Sequence, residues 1–119
     1  MTEKFLVLHL TDPTGSDLPP EEDQRMLEAW ADEGEAAGTL GAGAPVAGRD
    51  RARSVVVRDG ESIVTDGPFP EFKEWFAGYD QLEADSIDEA AAYMAKHPSA
   101  VLGRILILPV VKLPWEQDA

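Results

Sequence analysis

The sequence predicts an α+β domain of ferredoxin-like type, a βαββαβ plan with one inserted β-hairpin. Three observations lead there. Residues 4–10 and 104–108 are apolar on both faces of a period-two pattern, which suits strands covered on both sides. Residues 20–37 and 86–97 repeat their apolar positions at helical spacing and lie between strand-like segments. Asp59-Gly60 joins two β-rich runs and suits a type I′ turn, which needs positive φ at both central residues.

The first strand carries His9 on the face of Phe5 and Val7, near its end. A histidine in that setting is more often a hydrogen-bonded core residue than a catalyst. A loop, 11–17, follows; then Pro19-Pro20 and the acids Glu21, Glu22 and Asp23 open the first helix with negative charge at its positive end. Met26, Leu27, Trp30 and Ala31 form its apolar face, and Gly38 is its left-handed stop. The small, Gly-rich run 39–44 predicts a strand beside a closely approaching backbone. It is no phosphate loop, because its glycines miss both nucleotide-binding spacings and it follows a helix.

The hairpin pairs residues 53–58 with 61–65 and leads into Asp66-Gly67-Pro68-Phe69. Gly67 accepts positive φ, Pro68 fixes φ and Asp66 can bond the following amides, so this is a turn that re-aims the chain, with Phe69 as its buried anchor. Glu71, Lys73 and Glu74 then form a solvated salt-bridging cluster, or else Asp66 and Lys73 stand at the rim of a ligand cleft.

Residues 75–84 fit a strand with two polar residues, Asp80 and Gln81, on opposite faces. Either the strand lies at an edge or one of them lines a cleft. Ser86-Ile87-Asp88-Glu89 has the capping-box form, and Ala90, Ala91, Met94 and Ala95 continue a slim apolar face. Pro98 should stop that helix at His97, where the negative end of the helix would favour a charged imidazole. Pro109 ends the last strand, and Trp115 in the tail is expected to dock on the domain or on a neighbouring subunit.

A chain of 119 residues, 44% apolar, is long enough for one domain with a core, and Trp30, Trp75 and Trp115 draw that core from its whole length. The net charge of −13 repels phosphate backbones and anionic lipid, so nucleic acid and membrane surfaces are disfavoured partners. With no cysteine there are no disulfides, thiol nucleophiles or cysteine metal sites, which fits a reducing compartment. Apolar runs such as 105–108 fall far short of the roughly 20 residues of a membrane span, and the first residues resemble no signal peptide. A soluble cytoplasmic protein is expected.

The stretch Asp66-Gly67-Pro68-Phe69-Pro70-Glu71-Phe72-Lys73-Glu74 resembles the DGPFAETKE signature of the DGPF branch of the YCII-related family at seven of nine positions. The Asp59-Gly60 hairpin, Gly78-Tyr79, the 85–90 run and His97-Pro98 extend the resemblance over nearly the whole chain. It implies a dimeric α+β barrel with a pocket in each subunit between sheet and dimer partner. The family's acid-base pair, a histidine on the first helix and an aspartate before a proline after the second, does not recur: the first helix has no histidine and His97 precedes Pro98. Ser54-Val55-Val56 and Leu106-Ile107-Leu108-Pro109 stand where DGPF relatives tend to have Thr-Val-Arg and Glu-Val-Arg-Pro.

Two functions compete. One is a small-molecule-binding or enzyme-like pocket using His9, Asp66, Asp80 and Lys73. The other is a non-catalytic homodimer acting on a basic partner, because relatives are often encoded beside extracytoplasmic-function sigma factors. No cofactor motif is present, and two histidines so far apart in sequence give no metal-ligand spacing. A two-fold dimer joining sheet to sheet would cover the apolar face that two helices on one side leave open.

Overall fold

A computed structural model describes residues 2–66, 69 and 72–116. The elements run β1 (Glu3–Thr11), α1 (Pro20–Ala37), β2 (Leu40–Pro45), β3 (Arg53–Arg58), β4 (Glu61–Asp66), β5 (Phe76–Ala84), α2 (Ile87–Met94), α3 (Ser99–Leu102) and β6 (Gly103–Pro109), with 3-10 turns at Arg49–Arg51 and Pro114–Glu116. Strands β2, β5, β1 and β6 form an antiparallel sheet in that order, and β3 with β4 form a separate two-stranded sheet. This is the α+β, ferredoxin-like arrangement, with the hairpin inserted between β2 and β5.

Helix α1 begins on Pro20 with three acids in its first turn and ends where Gly38 turns left-handed at φ 73°. Ser86 caps α2 by accepting the Glu89 N–H at 3.1 Å, while the Glu89 carboxylate accepts from the Asp85 N–H at 2.9 Å. Both helices lie on one face of the sheet. Trp30 of α1 and Ala90, Tyr93 and Met94 of α2 bury against Phe5, Val7, Leu82 and Ala84. The Tyr93 hydroxyl donates to the Trp30 carbonyl at 2.7 Å, which locks the two helices together.

The hairpin turns as the sequence predicts, with Asp59 at φ 51° and Gly60 at φ 79°. Phe69 is buried and stacks on Trp75 with centroids 5.4 Å apart. Gly67, Pro68, Pro70 and Glu71 of the expected turn lie outside the described residues.

Four expectations change. Strand β5 runs between β2 and β1, so an edge position does not explain Asp80 and Gln81. Regular α2 ends at Met94, ahead of the expected stop at His97, because the N–H groups of Lys96 and His97 bond the carbonyls of Tyr93 and Met94 in tighter turns. Helix α3 then forms beyond Pro98, in a segment too short to carry a periodic signal. Trp115 is 80% exposed and does not dock on its own domain.

The far face of the sheet carries partly exposed leucines. Leu6 stands opposite Leu108, and Leu8 opposite Leu106, with both β6 leucines 42% exposed. Among the described residues no helix is long and apolar enough to cross a membrane.

Candidate functional site

On the helix-covered face, His9 of β1 pairs in register with Gly78 of β5, and Asp80 pairs with Val7. His9 and Asp80 are therefore diagonal neighbours on one face, within reach of each other's side chains. Nε2 of His9 lies 2.7 Å from Oδ2 of Asp80. Both groups are largely out of water, with side-chain exposures of 6% and 13%, so the hydrogen bond between them offsets only part of the cost of their burial.

The backbone makes room for this pair. Gly43 of β2 is the register partner of Asp80, and a Cβ there would lie 1.9 Å from Asp80 Oδ1 and 2.6 Å from the Tyr79 carbonyl oxygen. Only a residue without a side chain lets β2 approach the carboxylate so closely. The Gly-rich composition of 39–44 is the sequence signal for such an approach.

His97 completes the group from the turn after α2. Its ring lies 4.4 Å from the His9 ring, centroid to centroid, and meets Trp30 edge-on at 4.6 Å. Nδ1 accepts the Ser99 N–H at 3.0 Å. The proton of the neutral ring is then on Nε2. Burial pushes the His97 pKa down to about 4, and neighbouring His9 adds to the effect against the opposing charge of Asp80. The charged imidazole expected at a helix end is thus corrected to a neutral one at pH 7, because loss of water outweighs the helix dipole.

These side chains line a cavity of about 290 Å³ with Trp30, Gly43 and Ala77. Among the described residues, the buried side-chain polar atoms without a partner are His9 Nδ1 and Trp30 Nε1, and both side chains line this cavity. Donor atoms of His9, Asp80 and His97 lie within 4.8 Å of one another, a span a divalent cation could use. The Ser99 hydrogen bond, however, leaves Nε2 of neutral His97 protonated, a hydrogen-bond donor instead of a metal ligand.

The other expected site residues are not among those that line this cavity. Asp66 ends β4, largely exposed, and pairs with Arg53 at 2.8 Å across the hairpin. Lys73 lines an adjoining hollow of about 490 Å³ with Asp12 and Leu102, which shares Ala77 and Ser99 with the His9 cavity. In that hollow Asp12 is held down to about pKa 2, first by the Thr14 backbone N–H and hydroxyl and then by Arg104, a loop-fixing arrangement. Glu74 joins it through Arg104 at 3.4 Å. Sequence reasoning puts His9 and Asp80 in one candidate site, but it misses His97 and Trp30, whose convergence on His9 depends on how the turn after α2 folds back.

The family model of the YCII-related domain matches residues 4–115. No curated protein matches the chain.

Proposed function

The chain belongs to the YCII-related family, and on that premise we propose that it is a small-molecule-binding, enzyme-like protein of the DGPF branch, working as a cytoplasmic homodimer. The observation that carries the reading is the buried His9–Asp80 pair, 2.7 Å apart, on the wall of a cavity. An ionisable pair costs stability when withdrawn from water, so a fold that needed only a core would fill these positions with apolar side chains. The unpartnered His9 Nδ1 and Trp30 Nε1 support the same reading, since buried polar atoms are nearly always paired. A histidine and a carboxylate in contact can hold and pass a proton, which makes acid-base chemistry the natural use of the site. The leucine-lined open face of the sheet supports the homodimer.

The test is an amide-resolved NMR screen of a chemically mixed fragment library. Saturable shifts confined to the residues around His9, Gly43, Asp80 and His97, weakened by Asp80→Asn, are the expected result. Fragments that shift only the opposite face of the sheet, or none of these residues, would refute the pocket.

A further inference from the structure

We propose that His97 is a fixed, uncharged hydrogen-bond donor, and that its Nε2–H binds a carbonyl-type oxygen of a small neutral molecule held beside Asp80. This rests on the pocket reading above and adds the class of ligand. The Ser99 N–H, 3.0 Å from Nδ1, selects one tautomer of the ring and anchors it to the backbone. Contacts with His9 and the edge of Trp30 hold the ring from two further sides. Among the described residues Nε2–H has no acceptor and Asp80 Oδ1 has no donor. One cavity thus carries a free donor and a free acceptor.

Charge decides what they take. An anion would meet the Asp80 carboxylate and the field of a chain with net charge −13, while a neutral imidazole offers no compensating charge. A metal ion at Nε2 would need the ring proton moved to Nδ1, where it would face the Ser99 N–H, donor against donor. A neutral oxygen acceptor meets neither obstacle. The walls supplied by Leu27, Trp30, Ala44 and Ala77 suit the apolar remainder of such a molecule. If the ligand has a C–H next to its carbonyl, that proton can pass to the Asp80 carboxylate as the C–H electron pair moves through carbon to the oxygen. His97 Nε2–H would then stabilise the enolate oxygen without giving up its own proton.

The experiment uses the full-length protein, ¹⁵N-labelled, with three probes: cyclohexanone, cyclohexanecarboxylate and Zn²⁺. Long-range ¹H–¹⁵N spectra should show His97 as the Nε2–H tautomer at pH 7. Cyclohexanone should shift its ring signals saturably, and cyclohexanecarboxylate should bind at least about tenfold more weakly. His97→Gln, which keeps an N–H donor, should retain ketone binding, while His97→Phe should lose about tenfold, both with a native circular dichroism spectrum. An Nδ1–H tautomer, tighter binding of the carboxylate, saturation by Zn²⁺, or a His97→Phe protein that binds the ketone as well as the parent would each overturn the role of His97. In those cases shifts at Asp80 would leave the pocket standing. Silence of His9, Asp80 and His97 towards every probe would remove the pocket and this inference together.

Discussion

Asp80 Oδ2 stands 2.7 Å from His9 Nε2, although the register partner of His9 is Gly78. The contact is diagonal: the residue directly opposite the imidazole has no side chain to offer it, and Asp80, two residues further along β5 on the same face, supplies the partner. Replacing Asp80 by Ala leaves a buried ring nitrogen without a partner, at a cost of about 1–3 kcal/mol. Asp80→Asn keeps an oxygen acceptor in nearly the same volume and should cost clearly less. Urea denaturation of both variants checks this; equal losses would mean that the pair contributes packing alone.

Gly43→Ala is expected to be worse than its chemistry suggests. The new Cβ would meet Asp80 Oδ1 at 1.9 Å and the Tyr79 carbonyl oxygen at 2.6 Å, and the second is backbone that cannot swing away. Strand β2 must shift or the carboxylate must leave His9. We expect a loss of about 1–3 kcal/mol together with a changed His9 ring environment. Thermal denaturation and the His9 ring signals measure the two parts, and an alanine variant with both unchanged contradicts the close approach.

Much of this architecture is legible in the residues, and the reasons are local. Asp59-Gly60, Gly38 and Ser86-Ile87-Asp88-Glu89 each act within a few residues, so their turn, stop and cap appear in the sequence as they do in space. His9 and Asp80 can be singled out because a polar residue in a strand must find a partner. That they find each other depends on the β1–β5 register, and periodicity does not fix register between distant strands. The charge of His97 escapes sequence reasoning for a related cause. Its helix-end position is visible, but the burial that overrides the dipole comes from Trp30 and His9, far away in the chain. Asp66 and Lys73 are drawn into the expected site by the signature that contains them, whereas Asp66 pairs with Arg53 on the hairpin and Lys73 lines the hollow next to the cavity instead of the cavity itself.

The depressed His97 pKa makes a signed prediction about acid stability. In the folded protein the group titrates at about 4, against 6.5 ordinarily. Between those values the unfolded chain binds more protons than the folded one, so stability falls as pH falls from about 6.5 to about 4. Above 6.5 this group contributes no slope. Each tenfold loss of proton affinity on folding is worth about 1.4 kcal/mol, and partial solvent contact reduces the sum, so we expect a loss of about 2 kcal/mol over the window. The groups that face His97, His9 and Asp80, are the same in both proteins, so comparison with His97→Gln isolates its share. If the two stability profiles run parallel from pH 7 to 4, the imidazole is not held neutral by the fold.

The open face of the sheet yields the last prediction. Leu106 and Leu108, each 42% exposed, stand beside Leu8 and Leu6, and fully burying one leucine side chain is worth about 1.5–3 kcal/mol. A two-fold partner would bury each of them twice, which gives the proposed homodimer a driving force. Leu106→Glu would set two carboxylates near each other across such an axis while leaving the helix-covered core of Phe5, Val7 and Trp30 intact. Sedimentation at micromolar concentration should therefore show the parent as a dimer and Leu106→Glu as a folded monomer. Ile87→Glu, an equally exposed change at the start of α2, should remain dimeric. A monomeric parent protein, or a variant at Ile87 that dissociates while Leu106→Glu does not, would place the interface elsewhere or remove it.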